Sequence, residues 1–272
     1  MGEPMCRNLA RKSGCAVVAW DLRPEIPGRL AADGVVAARS LDELAERAEI
    51  VFLSLPGEEE IRAVLPQIRH CVVVDCSTAP VALARELAGR IEHFADAPVA
   101  RTRQAAIDGT LSIMVGAGDA LFARIEPLLR CMASEVTHCG PPGAGQAVKL
   151  LNNMVLSITV TALAEALAVA KASGAVDPKV LFETLMKGSA DSFALRNHGM
   201  KALLPETHPE KAFPVTYMMK DVAYALDLAR SAGLRLPVGE TIFELLRETE
   251  ALGLGERYHT AIIEAVRKRS AR

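Results

Sequence analysis

An α/β domain followed by an all-helical domain is predicted by three features of the 272-residue chain. Up to about Gly140, short β-branched runs alternate with amphipathic helical stretches, the pattern of a parallel sheet wrapped by helices. Beyond Gly143 the strand signals stop and helical periodicity continues to the end. Between the two lies GPPGAGQAVKLLNN, Gly140 to Asn153, a glycine-rich turn that opens directly into an apolar helix. The domain division is therefore placed at this turn, with residues 1–141 in the first domain and 142–272 in the second.

In chain order, β-branched runs place strands at 16–21, 35–37, 50–55, 72–75, 93–97, 111–116 and 136–139. Helices are expected at 3–12, 41–48, 58–65, 81–90 and 119–130, several of them announced by capping or acidic residues. The second half reads as one long helix from the glycine turn, then helices at 177–186, 193–203, 218–231, 237–252 and 259–269. No internal repeat or low-complexity segment interrupts this order.

Half of the residues are hydrophobic and the formal charge is -2, so the chain can bury a sizeable core but has no bias toward polyanions. Basic residues are dispersed, which excludes nucleic acid as the expected partner. Cys6, Cys15, Cys71, Cys76, Cys131 and Cys139 form no C-x-x-C pair and have no paired histidine spacing. Neither a metal site nor a disulfide framework is expected, and a reducing cytoplasm fits. Glu3, Arg7, Arg11 and Lys12 make the amino-terminal segment amphipathic, unlike a signal peptide. The apolar stretch 150–170 has the length of a bilayer span. Asn152, Asn153 and Glu165 are costly in lipid, so a buried central helix is expected and no membrane association.

The opening segment MGEPMCRNL reads as the first helix of a dinucleotide-binding βαβ unit without the strand that precedes it. With Gly2 as the last glycine of a G-x-G-x-x-G loop, the acidic residue expected about 20 positions later falls at Asp21. A carboxylate there accepts hydrogen bonds from ribose hydroxyls and repels a 2′-phosphate, favouring NAD over NADP. The fold expected is thus a Rossmann-like doubly wound parallel sheet with its first strand missing. About ten residues of strand and loop would be absent, leaving backbone groups of the neighbouring strands unpaired.

Lys149 and Asn153 stand four residues apart, so on a helix they share one face and can converge on one small polar ligand. From Met154 to Ala170 the only charge is Glu165, so the helix is surrounded mostly by protein. A lysine leading into such a helix sits near low dielectric, where its charged form is disfavoured and proton exchange near neutral pH becomes feasible. The alternative is an ordinary first-turn lysine followed by a polar step.

Taken together, VVAWD at Asp21, VFLSLPG ending at Gly57, VVDCSTAP ending at Pro80, DAPV at Asp96 to Val99, GTLSIMVG at Gly109 to Gly116, GAGQAVKLLNN and MMKDVAYALDLA at Met218 to Ala229 follow MGEPMCRNL in one order. This order resembles the β-hydroxyacid dehydrogenase family, whose members are 3-hydroxyisobutyrate dehydrogenase-, tartronate semialdehyde reductase- and 6-phosphogluconate dehydrogenase-like, along essentially the whole chain. The resemblance implies Lys149 as catalytic acid/base, Asn153 as substrate-orienting amide and Lys220 near the nicotinamide end of the cofactor. It also implies that Leu55, Pro56 and Thr78 line the dinucleotide, in agreement with the rule that ligands of open α/β sheets bind at the carboxyl ends of strands. Ser77 and Thr78 can equally cap the following helix, and Lys220 with Asp221 can be a plain ion pair.

One departure stands out. Where many family members carry Ser-Gly-Gly after DAPV, this chain has Ala100, Arg101 and Thr102. A forked guanidinium and a hydroxyl suit a carboxylate, phosphate or sulfonate, and the pair resembles the sulfolactaldehyde reductase branch. In the alternative, neither Arg101 nor Arg103 touches substrate. The activity implied is NAD-dependent interconversion of a small anionic 3-hydroxy acid, or hydroxy-sulfonate, with its semialdehyde, without a metal. A homodimer or homotetramer is expected, with the long helix at the interface. The rival reading is a truncated or repurposed, non-catalytic dinucleotide-fold protein that serves in dimerisation.

Overall fold

The computed structural model describes residues 1–210 and 212–270. The chain forms two compact units, Met1–Lys149 and Leu150–Arg272. The first contains α1 (Gly2–Lys12), β1 (Val17–Ala19), α2 (Glu25–Gly28), β2 (Val35–Ala37), α3 (Leu41–Arg47), β3 (Ile50–Leu53), α4 (Glu58–Val64) and β4 (Val72–Asp75). It continues through α5 (Val81–Ala88), β5 (Phe94–Asp96), β6 (Val99–Ala100), α6 (Arg103–Asp108), β7 (Leu111–Gly116), α7 (Asp119–Leu129) and β8 (Ala133–Gly140).

Strands β3, β4 and β5 run parallel, with Val51 opposite Val73 and Val74 opposite Ala95. All four residues of β4 are buried, as expected for a strand covered on both faces. β7 runs antiparallel to β5 and β6 and parallel to β8. β1 and β2 pair parallel with each other, so the strands divide into a two-stranded and a six-stranded set. The sheet buries Val72, Val74, Ala95, Ile113 and Val115 on one side against Ile125 and Leu129 of α7. Leu53, Val73 and Phe94 pack with Leu83 and Leu87 of α5 in a second cluster.

Several local signals explain the boundaries. Ser40 caps α3 by accepting the Glu43 N–H, and the Glu43 carboxylate reaches back to the Arg39 N–H. Arg7 and Arg11 on α1 both pair with Asp33, which ties that helix to the turn before β2. Three elements of the first unit were not anticipated from the sequence. α2 has four residues, β6 two and α6 six, too few to show a period of either kind. The last strand starts at Ala133 rather than 136, because its early residues Glu135 and Ser134 are exposed and lack strand character.

The helix α8 (Ala144–Ser173) begins in the first unit and continues as the first helix of the second. It is followed by α9 (Pro178–Leu185), a π-helical segment (Leu195–Leu203), α10 (Val215–Ser231), α11 (Pro237–Thr249) and α12 (Ile263–Ser270). Asp177 caps α9 by accepting the Lys179 and Val180 N–H groups, with Pro178 in the first turn. α8 is long and apolar enough to cross a membrane by composition. Its Val160, Leu163, Ala164 and Leu167 are instead buried against Phe182, Leu195, Met218, Val222, Leu246 and Ile263, which makes it a core helix.

Candidate active site

The glycine-rich turn seats α8 on the sheet by backbone contacts that a larger residue would block. Gly143 has φ of 93°, a left-handed conformation suited to glycine. A Cβ on Gly145 would lie 2.4 Å from the Met114 carbonyl oxygen, so only glycine permits this approach. Into the same place points the fully buried carboxylate of Asp96 at the end of β5. Its Oδ1 accepts the Gly143 N–H at 2.6 Å and its Oδ2 the Gln146 N–H at 2.7 Å. These are the unsatisfied donors of a helix amino terminus, and the negative charge also suits the helix dipole. Burial pushes the Asp96 carboxyl up to about 6, while the N–H groups of Gly143 and Gln146 oppose that rise.

Lys149 follows Gln146 within the first turns of α8, and its side chain is buried. Asn153, one turn further along the same face, is buried as well. Its Nδ2 donates to Asp221 Oδ2 of α10 at 2.6 Å, and its Oδ1 accepts from Asn152 Nδ2 at 3.1 Å. The amide orientation is thereby set, with nitrogen toward the carboxylate. Asp221 also lies 3.3 Å from Lys220 Nζ, whose ammonium stands 5.2 Å from the Tyr224 ring centroid and 6.0 Å from that of Tyr217. Lys220 and Asp221 are therefore a half-buried pair inside a polar cluster rather than a plain surface ion pair.

The residues expected at a dinucleotide lie at matching places in the first unit. Gly2 is the first residue of α1, where a Cβ would sit 3.2 Å from Ser54 Cβ, just past β3. Asp21 follows β1 and accepts the Arg23 N–H at 2.9 Å on Oδ1. Leu55 and Pro56 follow β3, and Thr78 follows β4. The Ser77 hydroxyl oxygen accepts the Leu55 N–H at 2.9 Å, so it joins the two loops instead of capping α5. A helix start, a carboxylate beyond β1 and two loops at the carboxyl ends of parallel strands lie at the end of the sheet where open α/β folds take their ligands.

The Ala100–Thr102 turn differs from the picture of an unengaged anion grip. Arg101 has φ of 84°, and its Nη1 donates to the Thr110 carbonyl at 2.6 Å and to Ser134 Oγ at 2.8 Å. Thr102 caps α6, its Oγ1 accepting the Ala105 N–H at 3.2 Å. Both side chains are tied to protein, yet the guanidinium makes both bonds through one nitrogen and the Thr102 hydroxyl retains its own proton. Asp96 and Gln146 were not singled out from sequence, and Asp221 was weighed there only as an ion-pair partner of Lys220. Each stood inside a quoted motif, but their partners are 47 to 69 residues away, beyond any local pattern.

Two family models together match nearly the whole chain. Residues 1–140 match the NAD binding domain of 6-phosphogluconate dehydrogenase, and 143–266 match the NAD-binding domain of NADP-dependent 3-hydroxyisobutyrate dehydrogenase. The chain is 30% identical to 2-(hydroxymethyl)glutarate dehydrogenase of Eubacterium barkeri, over 97% of this chain and 91% of that protein. It is also 30% identical to 2-hydroxy-3-oxopropionate reductase of Escherichia coli (strain K12), over 98% and 94%. Among solved structures, 3-hydroxyisobutyrate dehydrogenase of Mycobacterium tuberculosis with L-serine superposes with a TM-score of 0.88 at 30% identity, covering 98% of this chain and 96% of that one. With a nicotinamide dinucleotide domain, a helical domain and a full-length match to named dehydrogenases and reductases, the chain belongs to the β-hydroxyacid dehydrogenase family.

Proposed function

We propose that this protein is an NAD-dependent oxidoreductase that interconverts a small anionic 3-hydroxy acid, or hydroxy-sulfonate, with its semialdehyde, using Lys149 as acid/base. The observation that carries the reading is the buried Lys149–Asn153 face of α8, with the Asn153 amide oriented by Asp221. Bound nicotinamide supplies the hydride acceptor or donor. In reduction, the Lys149 ammonium gives a proton to the developing alkoxide, and in oxidation the neutral amine takes it back. Asn153, held from behind by Asp221, orients the reacting oxygen. Lys220 is assigned to the nicotinamide end on the family resemblance.

Gly2, Leu55, Pro56 and Thr78 are assigned to the cofactor because they sit at strand ends and a helix start. The Asp21 carboxylate engages Arg23 through Oδ1, which leaves Oδ2 to accept from ribose hydroxyls and favours NAD. At the Ala100–Thr102 turn, the remaining guanidinium donors of Arg101 and the Thr102 hydroxyl proton are assigned to the anionic end of the substrate. A substrate panel of sulfolactaldehyde, tartronate semialdehyde and methylmalonate semialdehyde with NADH and NADPH tests the reading. Turnover of one of these with NADH supports it, and NADH binding without turnover of any favours the non-catalytic rival.

The exposed face of α8 presents Val148, Leu151, Val155 and Val169, an apolar stripe on an otherwise satisfied core helix. We propose a homodimer or homotetramer that covers this stripe, which light scattering of the purified protein checks. All six cysteines are free thiols, and a reducing cytoplasm is the compartment proposed.

A further inference from the structure

A continuous buried hydrogen-bond network joins the loops after β3 and β4 to the first turn of α8. Leu55 N–H donates to Ser77 Oγ, and Ser77 N–H donates to Asp75 Oδ1 at 2.9 Å. The Gln146 side chain then bridges the gap, its Nε2 donating to the Ser77 carbonyl at 2.8 Å and its Oε1 accepting the Ala79 N–H at 3.1 Å. Its own backbone N–H closes the network on Asp96. Gln146 and Asp96 are fully buried and Ser77 nearly so, so no water substitutes for a lost partner without rearrangement. Thr78 lies between the two residues that Gln146 grips, and Lys149 is three positions beyond it on the same helix.

We propose that Gln146 is a positioning residue that sets the spacing between the Thr78 loop and Lys149, coupling cofactor binding to the placement of the acid/base. The proposal rests on the reading of Thr78 as a cofactor contact and Lys149 as the acid/base. Gln146 holds both sides of Thr78, through the donor and the acceptor of one carboxamide, a pair that a protonated carboxyl of the same length also supplies. The two neighbouring glycines leave no slack, because a Cβ on Gly145 or Gly116 would fall within 3 Å of the Asp96 carboxylate. Displacement of the loop therefore passes into the first turn of α8 rather than being absorbed.

The test compares wild type, Gln146→Met, Gln146→Glu and Lys149→Ala for NADH affinity by fluorescence titration, for kcat with one semialdehyde, and for folding by circular dichroism. Gln146→Met removes both bonds, and it is expected to weaken NADH binding about 10-fold and lower kcat on the order of 10- to 100-fold while remaining folded. Gln146→Glu shows the same defects at pH 8. As pH falls toward 5.5, its NADH affinity and kcat relative to wild type recover, because the protonated carboxyl again donates to Ser77 O and accepts from Ala79. The ionisable groups around this position are Asp75 and Cys76 on the β4 side, Asp96 on β5, Arg85 on α5 and Lys149 on α8. They are common to both proteins, so the ratio reads the added carboxyl together with its coupling to them, Asp96 first. A folded Gln146→Met with both constants within twofold of wild type overturns the proposal, as does a Gln146→Glu ratio that stays flat with pH. If Gln146→Met does not fold, the Gln146→Glu ratio alone decides. Undiminished kcat in Lys149→Ala overturns the acid/base reading itself, whatever Gln146 does.

Discussion

Asn153 Nδ2 and Asp221 Oδ2 lie 2.6 Å apart, a charge-assisted hydrogen bond between two buried side chains 68 residues apart in sequence. It converts a rotatable amide into a directed one, with its nitrogen toward Asp221 and its oxygen accepting from Asn152 Nδ2. Asp221→Asn replaces the acceptor with a group that meets the Asn153 amide equally well in either orientation. The expected outcome is a kcat lowered on the order of 100-fold with NADH affinity changed little, read by steady-state kinetics and fluorescence titration. Loss of NADH binding in proportion to kcat counts against an orienting role.

The proposed preference for NAD makes Asp21 the residue on which cofactor choice turns. Its carboxylate is partly exposed beyond β1 and uses Oδ1 for the Arg23 backbone and side chain. Asp21→Ser removes the acceptor for ribose hydroxyls and the charge that repels a 2′-phosphate, and leaves Arg23 without its partner. The kcat/KM ratio of NADH to NADPH is expected to fall at least about 10-fold, the value of one hydrogen bond to a charged group. An unchanged ratio would place the ribose elsewhere.

A substitution at Arg101 distinguishes its structural bonds from the proposed contact with substrate. Its left-handed backbone costs of order 1 kcal/mol in a non-glycine residue, and its bonds to Thr110 O and Ser134 Oγ offset that strain. Arg101→Gly removes both, so thermal stability is expected to shift little, while KM for the preferred anionic semialdehyde rises about 10-fold or more. If melting temperature falls and KM does not move, Arg101 is a strut between β6 and β8 and the substrate's anion is held elsewhere.

The helical unit buries a cluster of histidines. His198 Nδ1 lies 2.5 Å from the Tyr258 hydroxyl, and its ring centroid is 5.0 Å from that of His259. Burial, with Lys201 adding to it, pushes His198 down to about 4. Burial and the neighbouring imidazoles lower His259 well below its ordinary value, and burial also lowers His208. A depressed histidine contributes stability that is present above about 6.5 and is lost as pH falls through that value toward the folded pKa. For His198 the full loss is about 3 kcal/mol. Asp96, raised to about 6, works in the opposite direction over part of the same range, so a variant isolates the histidine. His198→Asn keeps a partner for Tyr258, and the melting-temperature advantage of wild type over it should shrink or reverse between pH 7.5 and 5. A difference that does not vary with pH contradicts a titrating role.

The alternation of β-branched runs and helices made the order of the first unit legible, since strands such as VVVD and LSIMVG carry their burial in their own composition. Lys149 and Asn153 were equally legible, because helical spacing alone places them on one face. What remained hidden depends on contacts that local pattern does not encode. β6 and α6 exist because Val99 and Ala100 pair with β7 and Thr102 caps the next turn. The grouping of β1 with β2 apart from the other strands is a matter of pairing, not periodicity. Asp96 stood in a recognised motif, but its work as the cap of α8 appears only once Gly143 and Gln146 are brought to it. Arg101 read as an open anion donor until Ser134 and Thr110 came into reach.

The most direct measurement is the turnover of NADH with the preferred semialdehyde by Lys149→Ala beside wild type, with NADH affinity measured on the same preparations. Removal of the acid/base should lower kcat on the order of 100- to 10,000-fold and leave NADH affinity within a few-fold. Turnover close to wild type, or equal losses of kcat and NADH affinity, would contradict Lys149 as the residue that moves the proton.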